Sequence, residues 1–159
     1  MGTDFIYSDY YIQIGTELAS DKIFGLGERF STNFRKKDGK WTIFNKAGDQ
    51  VIDKGTGNNT YGYYPFYLLI DKNHEGHINY IKSTSAMDVI KSTQENKNYL
   101  TFKIVGGVIN FRFIVASSNI TKLIRSFQET CIGLPALPPF WSLGFHQSRW
   151  GYDSAAKLN

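Results

Sequence analysis

Cysteine is almost absent from this chain. Cys131 is the single thiol among 159 residues, which excludes an internal disulfide framework and any multi-cysteine metal site. Charge is sparse too, at 20% of residues, and leans only slightly positive: 18 Lys and Arg against 14 Asp and Glu, a net charge of +4. The one tight basic cluster, Arg35-Lys36-Lys37, adjoins Asp38 and reads as a solvated loop, not a nucleic-acid stripe, so no nucleic-acid partner is expected. No apolar run approaches the roughly 20 residues of a membrane span. The start, Met1-Gly2-Thr3-Asp4, lacks the basic and apolar regions of a signal peptide, and Ile6 spoils a myristoylation signal.

What the chain does have is aromatic residues. Twelve Phe, ten Tyr and three Trp make up 16% of it, within an apolar share of 42%. That is enough for a real core, and aromatics suit pleated, half-buried surfaces, so the composition points to β structure. Short strands are expected over 10–14, 23–26, 41–44, 78–81 and 87–90. The run 63–70 is apolar almost throughout, as in a strand covered on both faces. The glycine-containing stretch 46–59 has little periodicity and is expected to be a long loop. Leu100, Phe102 and Ile104 alternate with polar residues, as do Ile109, Phe111, Phe113 and Val115, and Gly106-Gly107 lies between the two runs. This pattern predicts a hairpin with a two-residue turn.

One helix is expected next. Ser118 or Asn119 can cap it, Ile120, Leu123, Ile124, Phe127 and Cys131 recur on one face, and Gly133 and Pro135 end it. Cys131 is then a core thiol and no nucleophile. Gly133-Leu134-Pro135-Ala136-Leu137-Pro138-Pro139 carries three of the four prolines and reads as a domain boundary. Residues 140–146 are expected to form one buried strand, with the start of a helix near the end of the chain. These pieces cannot bury a core alone and read as the opening of a second domain.

Candidate chemistry within the chain is thin. His74-Glu75-Gly76-His77 has its histidines three apart around a glycine, which fits a turn between strands better than a zinc motif. Gly25-Leu26-Gly27-Glu28-Arg29-Phe30 lacks the third glycine of a dinucleotide loop and reads as a bend or bulge in a strand. No serine occupies a nucleophile elbow, and no carboxylate stands in a local context that singles it out. Neither a cofactor nor a metal is expected. The sequons Asn58-Asn59-Thr60 and Asn119-Ile120-Thr121 are compatible with a secretory protein.

Six ordered segments carry a resemblance. They are Phe24-Gly25-Leu26-Gly27-Glu28; Tyr61-Gly62 with Pro65-Phe66-Tyr67-Leu68; and Ser83-Thr84-Ser85-Ala86-Met87-Asp88-Val89. Then follow Val105-Gly106-Gly107-Val108-Ile109-Asn110-Phe111, Gly133-Leu134-Pro135-Ala136-Leu137-Pro138-Pro139-Phe140-Trp141, and Leu143-Gly144-Phe145-His146-Gln147-Ser148-Arg149-Trp150-Gly151-Tyr152. Together they make the chain, from about residue 10 to its end, resemble the N-terminal part of glycoside hydrolase family 31, the α-glucosidase and maltase family.

The resemblance implies a mainly β fold: a galactose-mutarotase-like β-sandwich with one C-terminal helix over 1–134. A linker and the first strand of a truncated (β/α)8 barrel would occupy 135–159. It implies an oligosaccharide or α-glucoside substrate, a missing catalytic barrel of the same polypeptide as partner, and a secretory, lysosomal or extracellular location. The family's nucleophile lies in a Trp-x-Asp-Met-Asn-Glu type motif in that barrel. No such motif occurs here, so the chain itself is expected to lack the catalytic pair and to be inactive.

Two residues are expected to touch sugar. Trp150 follows the first barrel strand, and residues beyond such a strand's C-terminal end face the active site; the resemblance implies that it lines the pocket for the non-reducing glucose. The family's Asn-Arg-Asp loop corresponds here to Asn45-Lys46-Ala47, which lacks the carboxylate, and Asp49 is the candidate substitute. This departure leaves the sugar open between glucose and xylose. His146 and Arg149 are expected to brace the strand end. The competing reading is a non-catalytic carbohydrate-binding or interaction module, with an epimerase a weaker third.

Overall fold

A computed structural model describes residues 4–29, 34–45, 61–116 and 119–157. Among these residues nine antiparallel strands form: β1 (Phe5–Ser8), β2 (Tyr11–Leu18), β3 (Lys22–Gly25), β4 (Gly39–Ile43), β5 (Phe66–Ile70), β6 (Gly76–Ile81), β7 (Met87–Gln94), β8 (Lys97–Ile104) and β9 (Phe111–Ala116). They form one sheet in the order β1-β2-β8-β7-β4 and a second in the order β3-β5-β6-β9. The expected sandwich, with α1 (Ile120–Phe127) the single α-helix among the described residues, is what the structure shows.

The core lies between the sheets. Val89, Leu100, Phe102 and Ile104 of the first sheet face Ile23, Tyr67, Leu69 and Ile81 of the second, all buried. Tyr67 and Phe102 stack across the gap with ring centroids 6.3 Å apart. The second sheet is also covered on its outer face, where Leu123 and Phe127 of α1 pack on Phe66, Leu68, Ile78, Tyr80 and Ile114. The apolar run in β5 is thus buried on both faces, as its sequence predicts: Tyr67 and Leu69 point into the sandwich, Phe66 and Leu68 toward the helix. Burying Leu123 and Phe127 contributes about 1.5–3 kcal/mol each.

The helix is seated by its cap and by one glycine. Asn119 takes the cap, its Oδ1 accepting from the Lys122 amide at 3.0 Å. Ser118 lies outside the described residues, and Asn119, the second sequon's asparagine, is exposed. After Phe127 the helix widens into a π turn over Gln128–Ile132, closed by Gly133 at φ +79°. Cys131 packs half-buried against the helix cluster, as a core thiol would, whereas Ile124 on the expected stripe is exposed. At Gly76 the helix approaches β6 so closely that a Cβ would stand 2.9 Å from Ile120 Cδ1 and 3.1 Å from Leu123 Cδ2.

Two expectations are corrected. The runs around Gly106-Gly107 do not pair with each other. β8 pairs with β2 and β7, β9 pairs with β6 in the other sheet, and residues 105–110 carry the chain across the sandwich. Both runs alternate because each has one face in the shared core, and alternation alone does not name a strand's partner. Besides β1–β2, where Ser8 pairs with Tyr11, a tight hairpin is β7–β8, with Glu95 and Asn96 at φ +49° and +62° between the paired Gln94 and Lys97. Its signal is weak because glutamate is an unusual residue for that backbone region. Strand β1, an exposed edge, was not anticipated.

The second correction concerns 140–146, expected as one buried strand. Phe140–Leu143 forms a 3-10 turn instead, with the Ser142 amide donating to Pro139 O at 2.9 Å, and Ala155–Lys157 forms another. A strand satisfies its peptide groups through neighbours, and this segment closes its own bonds locally. The long loop expected over 46–59 lies outside the described residues.

Gly76→Val should push α1 off the second sheet and cost about 1–3 kcal/mol, as overpacking does. Urea denaturation of the variant checks this, and an unchanged midpoint would show that the contact yields freely.

Candidate functional site

The two residues expected to meet substrate fall in different situations. Trp150 sits in a turn with Gly151, whose φ is +97°, and is 96% exposed. The segment around it holds itself through local contacts. Arg149 stacks over the Tyr152 ring at 4.7 Å, Gln147 Nε2 donates to the Tyr152 hydroxyl at 2.9 Å, and a His146 ring nitrogen lies 3.0 Å from Ser142 O. With no strand over 140–146, the contacts of His146 and Arg149 hold a turn and not the expected strand end. Asp49, like Lys46 and Ala47, lies outside the described residues; Asn45 is the last described residue before that stretch. Of the two, the structure places only Trp150.

It does show what fixes the ends of the 46–60 stretch. β4 leads into it and Tyr61-Gly62 leads out. The segment Gly25-Leu26-Gly27-Glu28-Arg29 forms the expected bend after β3, with Gly25 and Leu26 at φ +102° and +53° and Leu26 fully buried. Gly25 is required there, since a Cβ would meet Phe66 O at 2.5 Å. The bend projects Glu28 and Arg29 toward the two stems. Glu28 Oε2 accepts from the Gly62 amide at 2.9 Å, and the Glu28 amide donates to Gly62 O at 3.3 Å. Arg29 Nε donates to Leu26 O at 3.1 Å, and its Nη2 donates to Thr42 O on β4. Burial pushes the Arg29 guanidinium down to about 10, partly offset by the nearby Asp88 carboxylate. Sequence reading assigned this segment to backbone shape alone; the acid–base dipeptide directly after the bend was the available signal.

Other candidates resolve into structure. His74 sits in the β5–β6 turn at φ +62°, where Asp71 Oδ1 accepts from the Asn73 and Glu75 amides at 2.8 and 2.9 Å. His77 is on β6 and faces the sandwich interior, against Tyr67 and Phe113. Among the described residues no cluster of three His, Cys, Asp or Glu side chains is placed to hold a metal. The Arg35-Lys36-Lys37 segment borders a concavity whose charges are largely matched: Lys91 Nζ is 2.6 Å from Asp38 Oδ1, and Arg35 pairs with Asp21. Lys91 holds the Asp38 carboxyl below the usual carboxylate range. Described carboxylates thus serve as scaffolding: Glu28 on Gly62, Asp38 on Lys91 and Thr93, Asp71 on its own turn, Asp88 on Thr42.

No protein-family model matches the chain. Individual proteins do. It is 30% identical over 155 residues to the lysosomal acid alpha-glucosidase of Tetrahymena pyriformis, spanning 97% of this chain and 16% of that protein. It is 34% identical over 153 residues to the intestinal sucrase-isomaltase of Homo sapiens, spanning 94% of this chain and 8% of the relative. In fold it is similar to a cycloalternan-degrading enzyme from Trueperella pyogenes in complex with isomaltose, with a TM-score of 0.66 at 15% identity, over 91% of this chain and 22% of that one. A family 31 alpha-glucosidase from Bacteroides thetaiotaomicron superposes with a TM-score of 0.56 at 17% identity, over 79% of this chain and 21% of the other. The chain thus spans less than a quarter of each of these proteins.

Arg29→Met keeps the side chain's bulk and removes its donors, leaving Leu26 O and Thr42 O without this partner. A loss of about 1–3 kcal/mol is expected in urea denaturation, with only partial recovery in Arg29→Lys, which lacks the guanidinium fork. Full stability in Arg29→Met would show that these contacts hold nothing.

Proposed function

We propose that this chain belongs to glycoside hydrolase family 31 and is the N-terminal part of a retaining α-glucosidase that releases glucose from non-reducing α-glucoside ends. The observation that carries the proposal is the way the alignments fall: 94–97% of the chain matches a stretch making up only 8–16% of two α-glucoside-hydrolysing relatives. In this reading residues 1–134 are the sandwich and 135–159 lead into a (β/α)8 barrel.

The exposed side chains of the C-terminal arm support that division. Leu137, Phe140, Phe145 and Trp150 are each 90% exposed or more, a concentration of apolar surface that marks an interface. The occupant is the catalytic barrel of the same polypeptide. Retaining hydrolysis needs two carboxylates roughly 5 Å apart, one as nucleophile and one as acid then base. Both belong to that barrel, and this chain contributes binding and support.

Trp150 acts as a wall of the glucose pocket. An indole face matches the apolar C–H face of a pyranose, while polar groups elsewhere fix its hydroxyls. Asp49 supplies the carboxylate that the Asn45-Lys46-Ala47 departure removes from its family position, and the Glu28–Arg29 contacts anchor the stems of its loop. Since the relatives include lysosomal enzymes, the secretory pathway or lysosome is the compartment that fits.

The 159-residue chain should show no turnover of an aryl α-glucoside. In the longer protein, Trp150→Ala should lower kcat/KM by about 10- to 100-fold, or about 1.4–2.7 kcal/mol of transition-state binding, without shifting Tm. Turnover by the chain alone would refute the division of labour, and unchanged kinetics would remove Trp150 from the pocket.

A further inference from the structure

The two sheets leave an opening on the side of β9, and behind it lies a cleft of about 600 Å³. Its size falls within the range of small-molecule sites, and most of its lining is apolar. Thr16 and Leu18 of β2 form one wall, and Tyr67, His77, Asn79 and Phe113 of the second sheet form the other. The aromatic rings run as a series toward the mouth. His77 meets Tyr67 edge-on at 5.8 Å and Phe113 at 6.3 Å, and Phe113 is 61% exposed at the entrance.

One polar group in this cleft is unsatisfied. Asn79 is only 1% exposed, and its Oδ1 has no hydrogen-bond partner. A buried acceptor left unpaired costs about 1–3 kcal/mol, which a sandwich strand has no evident reason to carry. Burial pushes the Tyr67 phenol upward, partly opposed by a hydrogen bond from the Asn79 side chain. With the Asn79 amide nitrogen donating to the phenol oxygen, the phenol proton is itself left to donate. The cleft then presents one acceptor, Asn79 Oδ1, beside one donor, the Tyr67 hydroxyl. Exchanging the amide's oxygen and nitrogen leaves the same complement, a donor on Asn79 and an acceptor on Tyr67.

A hydroxyl is the simplest single group that both gives and takes a hydrogen bond. The rest of the lining fits a flat body: the rings offer edges and faces, and burial pushes the His77 imidazole down, disfavouring its charged form. We propose that this cleft is a binding site for a small neutral planar alcohol of the phenol class, its hydroxyl held between Asn79 and Tyr67 and its ring between Phe113, His77 and Leu18. The site shares no residue with the Trp150 region and stands or falls apart from the glycosidase reading.

The test uses the full chain and two probes of nearly equal shape, p-cresol and p-xylene, which differ by a hydroxyl against a methyl. Each is titrated while the backbone amides of Thr16, His77 and Phe113 are followed by NMR. The expected result is saturable shifts at these amides with p-cresol, and binding of p-xylene at least tenfold weaker even though it is the more hydrophobic. Asn79→Leu, which puts an apolar side chain of similar size in place of the amide, should reverse the preference. Equal or tighter binding of p-xylene to the unmodified chain would overturn the proposal, as would persistence of the p-cresol preference in Asn79→Leu. So would the absence of shifts with either probe, which would leave Asn79 served by water alone. The comparison on the unmodified chain is decisive whether or not the variant folds.

Discussion

Most of this structure depends on the second sheet being buried twice, once against the first sheet and once beneath α1. Side chains alternate along a strand, so a sheet covered on both faces needs apolar residues at nearly every position. Phe66, Tyr67, Leu68 and Leu69 supply such a run in β5, and Ile78, Tyr80 and Ile81 do so on β6. The double cover explains why α1 has to dock at all: without Leu123 and Phe127, the outer faces of β5, β6 and β9 would be wet. It also explains why Gly76 lies at the contact, where little but backbone fits beneath Ile120.

The first sheet obeys a looser rule, with one face in the core and the other partly in water. This difference decides what could be read from the sequence. The β5 run, the helical stripe and the Asn119 cap were legible because each is a local pattern with a local cause. The partner of β8 was not. Leu100, Phe102 and Ile104 alternate toward the core as Phe111 does on β9, and nothing local says that these two strands belong to opposite layers. The Glu95-Asn96 turn escaped notice because its backbone conformation is set by the pairing on either side of it rather than by residues that favour it.

Function was legible to a different degree. No titratable constellation pointed to chemistry, and the carboxylates of Glu28, Asp38 and Asp71 turn out to hold loops and a lysine. Recognition came from ordered segments such as Phe24–Glu28 and Leu143–Tyr152, which are shape determinants as much as site residues. The first of these gives the bend that sends Glu28 and Arg29 to the stems of the 46–60 stretch. The expected strand over 140–146 follows barrel logic, but a strand is a property of its neighbours; without a partner, Phe140–Leu143 closes a 3-10 turn and leaves its aromatics in water. Asn79 was missed because one asparagine in an apolar strand carries no sequence signal, and only its burial and lack of a partner set it apart.

The central claim is that this sandwich works as the front part of a family 31 glycosidase whose carboxylates lie farther along the same polypeptide. Reading the native message on both sides of this coding segment tests that most directly. The account predicts an open frame that runs beyond Asn159 into a barrel carrying a Trp-x-Asp-Met-Asn-Glu type motif. A stop codon immediately after Asn159 in an abundant mature message would contradict it and leave a sugar-binding module as the better description.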